Sequence, residues 1–505
     1  MLTTTDHANE HAYGGRKQWG AVIDGKSEVP ASLPVFTVAE ASTGQELATV
    51  VAGDAALVDR AVLSARRAYE TEWRRCPPHE RAALMRKLAA KIREHAAELT
   101  ALETREVGKP RSIAEDDLQA CCASFEFYAG LFDHLRGDLR DHGAIESRVV
   151  YEPYGVVASI LPFNWPPIHF GRTVAPALIT GNTVVVKPGE QAPLTAFRLT
   201  EIANEVLPPG VVNAVTGIET GGALVQHKLV SRICFTGSSA TGRKVLKAAA
   251  DNITLATLEL GGKNALIIFE DADLEHAAQI AIVGMFYNQG QACTSTARIL
   301  VHASLYDAFL ERFGALTQSL VVGDGLSPDS EIGPMVDAVQ RDRVMGYLDK
   351  ALMEGARIFA QGAVPTEACF KGGYWVPPTV LVGVTPNSTA GQEEMFGPIA
   401  CPMPFSTEEE AIAIANDTPY GLTAGIVTAN ETRAWRVASQ LEVGTVFVNN
   451  YHRRGAPGVP SGGMKASGYG RDNASETLHE FVRSKSVRLA TGRGAIPVWP
   501  PRLAR

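Results

Sequence analysis

The spacing of apolar residues changes along the chain and predicts two kinds of structure. Over residues 54–102, alanine, leucine and arginine dominate, and apolar residues recur every three or four positions, as at Leu88 and Ile92. This period predicts helices with one buried face. A break at residues 107–110, which holds glycine and proline, precedes a further helix that continues through Phe132.

After residue 150 the pattern becomes one of short strands rich in valine and isoleucine, which end at glycine or proline. Examples are the stretches "GVVASILP", "NTVVVKP" and "RICFTGSS". Helical stretches lie between them, and the same alternation returns from residue 264 to about 469 with "NALIIF", "TARILVH" and "GTVFVN". Strands that alternate with helices indicate βαβ units and parallel sheets. The predicted fold class is therefore α/β, with two such domains in sequence.

Composition narrows the class of protein. A chain of 505 residues exceeds the size of a single core, so two or three domains are expected. The net charge of −8 argues against a nucleic-acid-binding surface. No stretch has the roughly 18 apolar residues of a membrane span, and residues 1–20 lack a signal-peptide core. Seven cysteines without a CxxC pair indicate a reducing compartment, so we expect a cytoplasmic protein with no membrane partner.

Cys293 is the first candidate for chemistry. It lies in "NQGQACTSTAR", among small polar residues after a glycine-bearing turn, whereas Cys234 has the aliphatic and aromatic neighbours of a packed thiol. A nucleophilic cysteine needs access to solvent and a thiolate form, and this segment is compatible with both. The alternative is an ordinary loop cysteine.

Glu259 is the second candidate, in "LELGGKN". Its flanking leucines predict partial burial, which would raise the pKa of the carboxyl and favour work as a base. The alternative is a glutamate that points outward from a half-exposed strand. The pair Gly261–Gly262 argues against it, because consecutive glycines indicate close approach of a backbone or ligand.

Two further stretches indicate a nucleotide. In "FTGSSATGRK" a strand leads through a Gly/Ser turn into the helix "RKVLKAAAD", and free N–H groups at a helix start can bind phosphate. The stretch departs from a P-loop because Arg243 and Lys244 replace its Lys and Ser/Thr, which argues against a nucleotide hydrolase. In "VVVKPGEQ", Lys187 and Glu190 follow a strand, where open α/β sheets bind ligands; both could instead be solvated loop charges. Asn164, in "PFNWPP", is either a turn residue or an amide donor for an oxyanion.

Together these motifs resemble the aldehyde dehydrogenase superfamily over residues 54–489. Further matches, in the family's order, are "EEMFGP", "NDTPYGLTAGI" and "GGMKASGYGRD". The resemblance implies a Rossmann-like cofactor-binding domain, an α/β catalytic domain and a bridging element in which a strand near residues 135–150 pairs with "SKSVRL". The implied boundaries are 1–134 and 151–259 for the cofactor domain, 260–477 for the catalytic domain, 135–150 and 478–491 for the bridging and oligomerisation element, and 492–505 for an irregular tail.

The resemblance also implies NAD(P)-dependent oxidation of an aldehyde to a carboxylic acid. Cys293 matches the family's nucleophile, Glu259 its general base and Asn164 its oxyanion donor. The products of the steps are a thiohemiacetal and a thioester. An intact "LELGGKN" favours hydrolysis of the thioester over transfer to CoA, and the complete set argues against a binding protein without activity.

No metal site is expected, because the twelve histidines are scattered without the spacing of metal ligands. Residues that match cofactor contacts are Lys187 and Glu190 for the adenosine ribose, Gly237, Ser238 and Gly242 for the pyrophosphate, Glu394 and Phe396 for the nicotinamide ribose, with Gly222, Phe235 and Leu260 beside them. Glu190 would repel a 2′-phosphate, so NAD is expected, with NADP as the alternative.

Positions that match the substrate tunnel are His169, Arg172, Tyr451, Arg453 and Ser461. Arg172 stands where many members that oxidise aliphatic aldehydes carry Trp. A cationic tunnel would suit a semialdehyde that bears a carboxylate, whereas an aromatic aldehyde is the alternative, because members with aromatic substrates also carry Arg there. Assembly into a homodimer or homotetramer through edge strands is expected.

Overall fold

The structure is a computed structural model that describes residues 16–452, 457–496 and 499. Its strands are β1 (Gln18–Trp19), β2 (Ala21–Ile23), β3 (Lys26–Glu28), β4 (Val35–Ala39), β5 (Glu46–Val51), β6 (Asp138–Asp141), β7 (Ile145–Pro153), β8 (Val156–Ile160), β9 (Thr183–Lys187), β10 (Val212–Ala214), β11 (Val230–Thr236), β12 (Leu255–Glu259), β13 (Ala265–Ile268), β14 (Arg298–His302), β15 (Arg357–Gln361), β16 (Thr379–Val382), β17 (Ile399–Phe405), β18 (Tyr420–Gly421), β19 (Thr423–Val427), β20 (Thr445–Val448), β21 (Met464–Lys465), β22 (Gly468–Tyr469) and β23 (Val482–Ala490).

The α-helices are α1 (Ala55–Thr71), α2 (Pro78–Glu94), α3 (Ala96–Val107), α4 (Arg111–Gly130), α5 (Pro166–Ile179), α6 (Leu194–Asn204), α7 (Ile218–Gln226), α8 (Ser239–Ala250), α9 (Leu274–Phe286), α10 (Tyr306–Ser319), α11 (Ala338–Met353), α12 (Thr389–Gln392), α13 (Glu408–Asn416) and α14 (Glu431–Ala438). Short 3₁₀ helices cover Trp73–Arg75, Tyr287–Gly290, Ala368–Phe370 and Ser475–Phe481. Among the described residues, no helix is both long and apolar enough to cross a membrane.

The larger sheet has eight strands in the order β22-β12-β11-β8-β9-β10-β2-β3. Its five central strands, from β12 to β10, are parallel to their neighbours. Strands β8 and β9 are buried at every position, which fits their mainly apolar sequences, since helices cover both faces of a parallel sheet. The prediction of an α/β fold with parallel strands is confirmed.

A second sheet of seven strands has the order β15-β16-β17-β14-β13-β19-β20. Its strands are parallel except β15, which adds an antiparallel edge. The first and second sheets belong to different hydrophobic clusters, so the chain has at least two cores.

The third sheet, β23-β7-β6, is antiparallel and projects exposed residues. It contains the expected pairing of "SKSVRL" with the strand near residues 135–150. Strand β23 pairs with β7, and Lys485 lies opposite Val150. Strand β22 pairs antiparallel with β12, and Gly468 lies opposite Glu259. A late stretch of the chain therefore lies beside the edge of the first sheet. The domain boundaries given above stay a prediction.

Candidate active site

Four predicted site residues lie at the carboxyl edge of the larger sheet. Asn164 follows β8, Lys187 ends β9, Gly237 follows β11 and Glu259 ends β12. The strands are in register there, with Lys187 beside the end of β8 and Glu259 beside the end of β11. Because parallel strands deliver their carboxyl ends to one edge, residues far apart in sequence are brought together at the place where such sheets bind ligands.

The loop that carries Cys293 has an unusual backbone. Asn288, Gln289 and Gly290 all have positive φ, at 53°, 57° and 68°. Two consecutive non-glycine residues in this region are costly and persist only where the surroundings enforce them, often at functional sites. Cys293 follows as a partly buried residue that forms no disulfide with a described cysteine, and its carbonyl accepts a hydrogen bond of 2.8 Å from Asn264 Nδ2. The "LELGGKN" segment thus holds the cysteine loop.

Glu259 is partly buried, and its Oε1 is shielded from solvent without a hydrogen-bond partner among the described residues. Burial raises the pKa of this carboxyl well above its usual range, and the nearby Asp472 raises it further, whereas Arg172 and Arg471 oppose the shift. A carboxyl with an unused oxygen and a raised pKa is suited to take a proton from water.

Asp472 is a residue of this site that the sequence analysis did not assign. It is buried, and burial raises its pKa to about 6, against the opposing charge of Arg172. It lies in "GGMKASGYGRD", which was matched as a motif but given no chemical role. Only the pairing of β22 with β12 brings this stretch to Glu259, and a contact so distant in sequence leaves no local signal.

The two glycines after Glu259 lie so close to neighbouring groups that a side chain would not fit at either position. A Cβ on Gly261 would lie 2.0 Å from Glu394 Oε2, and one on Gly262 would lie 2.7 Å from the Cys293 carbonyl oxygen. The Gly262 N–H also donates to Glu394 Oε1 at 2.9 Å, and burial raises the pKa of Glu394 to about 7. The expectation of close approach at this pair is confirmed, and it joins the glutamate motif to the cysteine loop.

Asn164 is buried, and its side chain turns toward the same loop. Its Nδ2 donates to the Gln291 carbonyl at 2.9 Å, two residues before Cys293. Its own carbonyl accepts from Asn288 Nδ2 at 3.3 Å. A side-chain amide nitrogen carries two hydrogens, so one contact orients the group and leaves a second donor for an oxyanion.

The glycines of "FTGSSATGRK", the predicted phosphate-binding turn, are closely packed against neighbouring side chains. A Cβ on Gly237 would lie 2.7 Å from the Phe235 ring, and one on Gly242 would lie 2.8 Å from Leu260 Cδ2. Helix α8 begins directly after Ser238, four residues earlier than the segment "RKVLKAAAD" would place it, and the Ser238 hydroxyl caps its first turn. The extra turn brings both glycines and the helix start to the sheet edge, which fits a pyrophosphate.

The remaining cofactor candidates lie around that edge. Lys187 Nζ forms an ion pair with Glu190 at the end of β9. Gly222 is exposed, and the place of its missing Cβ is open space. Phe396 has a positive φ of 58° and packs edge-on against Phe163, beside the Asn164 turn, at 5.8 Å between ring centroids. The open space beside Gly222, the start of helix α8 and the Lys187–Glu190 pair together form a site that fits a dinucleotide.

Two predicted substrate residues lie on helix α5. His169 is buried, and its Nε2 has no hydrogen-bond partner among the described residues. Burial and then the charge of Arg172 lower the pKa of His169 well below its usual range, so this ring is neutral. Arg172 is partly buried, and its guanidinium makes no hydrogen bond to another described residue, yet its charge acts on Asp472 and Glu259.

The other substrate candidates have different surroundings. Tyr451 is buried, and its hydroxyl donates to the Thr294 carbonyl at 2.8 Å, which fixes the loop just after Cys293. Ser461 forms a backbone bridge with Asp472. Arg453 lies outside the described residues. Within the described residues, no group of His, Cys, Asp or Glu could hold a metal ion.

Comparison with known proteins shows which family the chain belongs to. The sequence model of the aldehyde dehydrogenase family matches residues 29–487. Aldehyde dehydrogenase citD from Monascus ruber is 44% identical over 466 residues, which cover 92% of this chain and 93% of that protein. Two solved structures are similar along nearly the whole chain. They are a putative aldehyde dehydrogenase from Burkholderia cenocepacia, with TM-score 0.91, 39% identity and coverage of 94% and 100%, and betaine aldehyde dehydrogenase from Staphylococcus aureus in complex with NAD+, with TM-score 0.92, 36% identity and coverage of 95% and 96%. The predicted resemblance is confirmed, and the chain belongs to the aldehyde dehydrogenase family.

Proposed function

We propose that the protein oxidises an aldehyde to a carboxylic acid with NAD, using Cys293, Asn164 and Glu259. One observation carries this proposal: the Asn164 amide and the Gly261–Gly262 turn after Glu259 both contact the strained loop that presents Cys293. The three groups therefore belong to one small volume, although they come from three separate parts of the chain.

In the first half of the reaction, the Cys293 thiolate adds to the aldehyde carbon, and the carbonyl oxygen becomes an oxyanion. The free hydrogen of the Asn164 amide and the Cys293 backbone N–H stabilise that charge. NAD, when bound, would supply the hydride acceptor, and loss of a hydride from the carbon of the thiohemiacetal would leave that carbon oxidised and attached to the Cys293 sulfur as a thioester. The residues around Cys293 keep the adduct oriented during this step.

In the second half, Glu259 takes a proton from a water molecule, which attacks the thioester carbon. The carbon–sulfur bond breaks, the acid leaves and the thiolate returns. The raised pKa of Glu259 supports this role, because a base with an unpaired oxygen and a pKa closer to neutrality accepts a proton more readily than an ordinary carboxylate.

Four groups support NAD as the cofactor. Glu190, in its ion pair with Lys187, would contact the adenosine ribose; the start of α8 at Ser238 would face the pyrophosphate; and Glu394 would contact the nicotinamide ribose. A carboxylate at Glu190 disfavours the 2′-phosphate of NADP. The NAD+ complex of the betaine aldehyde dehydrogenase relative agrees with this choice.

Of the two substrates that the sequence analysis left open, we favour the aromatic aldehyde over the semialdehyde, because the aromatic aldehyde carries no carboxylate. The charge of Arg172 already acts on Asp472 and Glu259, so a third carboxylate would enter a site where the cation is shared. Like charges in such a confined site repel one another. The semialdehyde hypothesis instead requires Arg172 to bind the substrate's carboxylate directly.

The test measures NADH formation with NAD or NADP, using benzaldehyde, succinate semialdehyde, betaine aldehyde and a medium-chain alkanal. We expect activity with NAD that Cys293→Ala abolishes, and a higher kcat/KM for benzaldehyde. A strong preference for succinate semialdehyde that Arg172→Met removes would overturn the substrate assignment. An active Cys293→Ala variant would overturn the mechanism.

We also propose that the protein assembles as a homodimer or homotetramer through the third sheet. Large apolar side chains on its strands are exposed, namely Leu139, Val150, Val487 and Leu489. Exposed strands of this kind pair readily with another chain. Light scattering should show an oligomer, and Val487→Lys should shift it toward monomer, whereas a monomeric wild type would contradict the proposal.

The seven cysteines, all free, support a location in the reducing cytoplasm. Fractionation of cells that express the full chain tests this location.

A further inference from the structure

A fully buried lysine lies directly behind the Asn164 turn. Lys109 Nζ donates to Glu103 Oε1 at 2.6 Å, to Asp117 Oδ2 at 2.5 Å and to the Asn164 carbonyl at 2.8 Å. The side chains of Lys109 and Glu103 have no exposed surface, and that of Asp117 is 2% exposed. All three hydrogens of the ammonium are therefore used, and none is given to water.

The backbone around Lys109 is built for this placement. Gly108 ends helix α3 in the left-handed region, at a φ of 91°, and a Cβ there would lie 2.7 Å from the Pro334 carbonyl oxygen. The Arg111 N–H then donates to the Gly325 carbonyl at 2.9 Å. The turn between α3 and α4 is thus clamped against residues of the second half of the chain.

Lys109 acts on Asn164, and Asn164 acts on the cysteine loop. The Asn164 carbonyl accepts from both Lys109 and Asn288, while its side-chain amide donates to Gln291. Both ends of Asn164 are held, so the direction of its remaining amide hydrogen is set by these contacts. An error of about 1 Å in such a donor reduces catalysis on the order of 100-fold.

The charges of the cluster balance when one acid is neutral. Glu103 Oε2 is buried without a hydrogen-bond partner among the described residues, and a neutral carboxyl tolerates this better than a carboxylate. Burial raises the pKa of Glu103 well above its usual range. The proton therefore belongs on Glu103, which leaves Asp117 as the anion that compensates Lys109.

We propose that Lys109, compensated by Asp117, is a positioning residue that fixes Asn164 so that its amide faces the oxyanion. This inference rests on the proposed function, in which Asn164 stabilises that oxyanion. Lys109 touches neither substrate nor cofactor in this arrangement; its effect on the reaction passes through the Asn164 carbonyl.

The decisive variant is Lys109→Met combined with Asp117→Asn, which removes the donor without leaving a buried charge unpaired. We expect kcat to fall on the order of 10- to 100-fold, with unchanged KM for the aldehyde, unchanged NAD affinity by fluorescence titration and unchanged alkylation of Cys293 by iodoacetamide. Lys109→Gln with Asp117→Asn restores a neutral donor on a shorter side chain. Its kcat should lie between those of the wild type and the Met variant.

Each variant is also combined with Asn164→Ala. If Lys109 acts through Asn164, the pair should lower kcat no further than Asn164→Ala alone, because the two changes remove one effect. The Gln variant provides this comparison if the Met variant does not fold.

Wild-type kcat in the folded Met or Gln variants would overturn the inference, and so would effects that multiply with Asn164→Ala. A different result identifies failure of the proposed function itself: Asn164→Ala alone would then leave kcat unchanged.

Discussion

Two clusters in this protein place a pair of acids beside a cation, and they differ in how far their hydrogen bonds are satisfied. Around Lys109, the ammonium uses all its hydrogens on Glu103, Asp117 and a carbonyl, and water is excluded. Around Glu259, the carboxyl is only partly buried, and the cation Arg172 makes no hydrogen bond to a described residue.

Under the proposed function, the difference separates a group that holds structure from one that performs chemistry. Burial raises the pKa of a carboxyl in both clusters, so a raised pKa alone does not identify the base. Glu103 and Glu259 each keep one carboxyl oxygen without a hydrogen-bond partner among the described residues, but Glu103 has no exposed surface, whereas Glu259 is only partly buried. Access to solvent is therefore the better criterion for the proposed base.

The largest effect should come from Glu259→Gln. Without its base, thioester hydrolysis should slow by about 10²- to 10⁴-fold. Cys293 and Asn164 remain, so one equivalent of NADH per active site should still form in a rapid first phase. Stopped-flow absorbance measures both phases.

Glu103→Gln is the matched control, because it makes the same substitution in the cluster around Lys109. Its kcat should equal that of the wild type. Rapid steady turnover by Glu259→Gln would show that another group activates water.

The second effect is on the stability of the protein and comes from the cluster around Lys109. Asp117→Asn leaves Lys109 without its anion and should lower the free energy of unfolding by about 3–5 kcal/mol. At a pH low enough to protonate Glu103 in the unfolded chain as well, Glu103→Gln replaces a neutral acid by a neutral amide and should change it by less than about 1 kcal/mol. Urea denaturation compares the two variants, and equal losses would contradict the placement of the proton on Glu103.

The proposed catalytic residues were predicted from the sequence, whereas the residues that support them were missed for definite physical reasons. Cys293, Glu259 and Asn164 stand in local motifs at strand ends or glycine turns, so both pattern and resemblance find them. Lys109 was noted only as part of a helix break at residues 107–110, because its partners lie on two helices and a distant turn. Asp472 depends on strand pairing that no local period encodes.

In the fold, too, features with a local sequence pattern were predicted and features without one were not. Alternating strands and helices predicted parallel α/β sheets, and the structure has them. The addition of β22 beside β12 was not predicted, because a strand of two residues has no detectable alternation. Helix α8 begins earlier than predicted, because serine, threonine and glycine in its first turn are typical of loops as well.

A third prediction is that Glu103 makes stability depend on pH. Its pKa in the folded protein is raised above the unfolded value of about 4.3, so the folded state binds more protons and its stability falls as pH rises beyond that value. Glu103→Gln cannot ionise and should lose this contribution. Its stability relative to the wild type should therefore increase with pH, by at most about 1.4 kcal/mol per unit. Urea denaturation at mildly acidic and alkaline pH measures the difference, and a constant difference would place the proton elsewhere.

The smallest effect should be a pair of opposite shifts in the pH profile of kcat, measured through the hydrolytic step. Glu259 works in its ionised form, so activity rises with pH as its proton is lost. The nearby Asp472 raises the pKa of Glu259 and Arg172 lowers it. Asp472→Asn should therefore move the acid limb to lower pH and Arg172→Met should move it to higher pH, each by about one unit or less. Asp117→Asn, whose carboxylate belongs to the other cluster, serves as the control and should leave the limb in place. If Arg172→Met leaves the acid limb where it is but lowers kcat/KM for anionic aldehydes alone, the guanidinium serves the substrate and not the base.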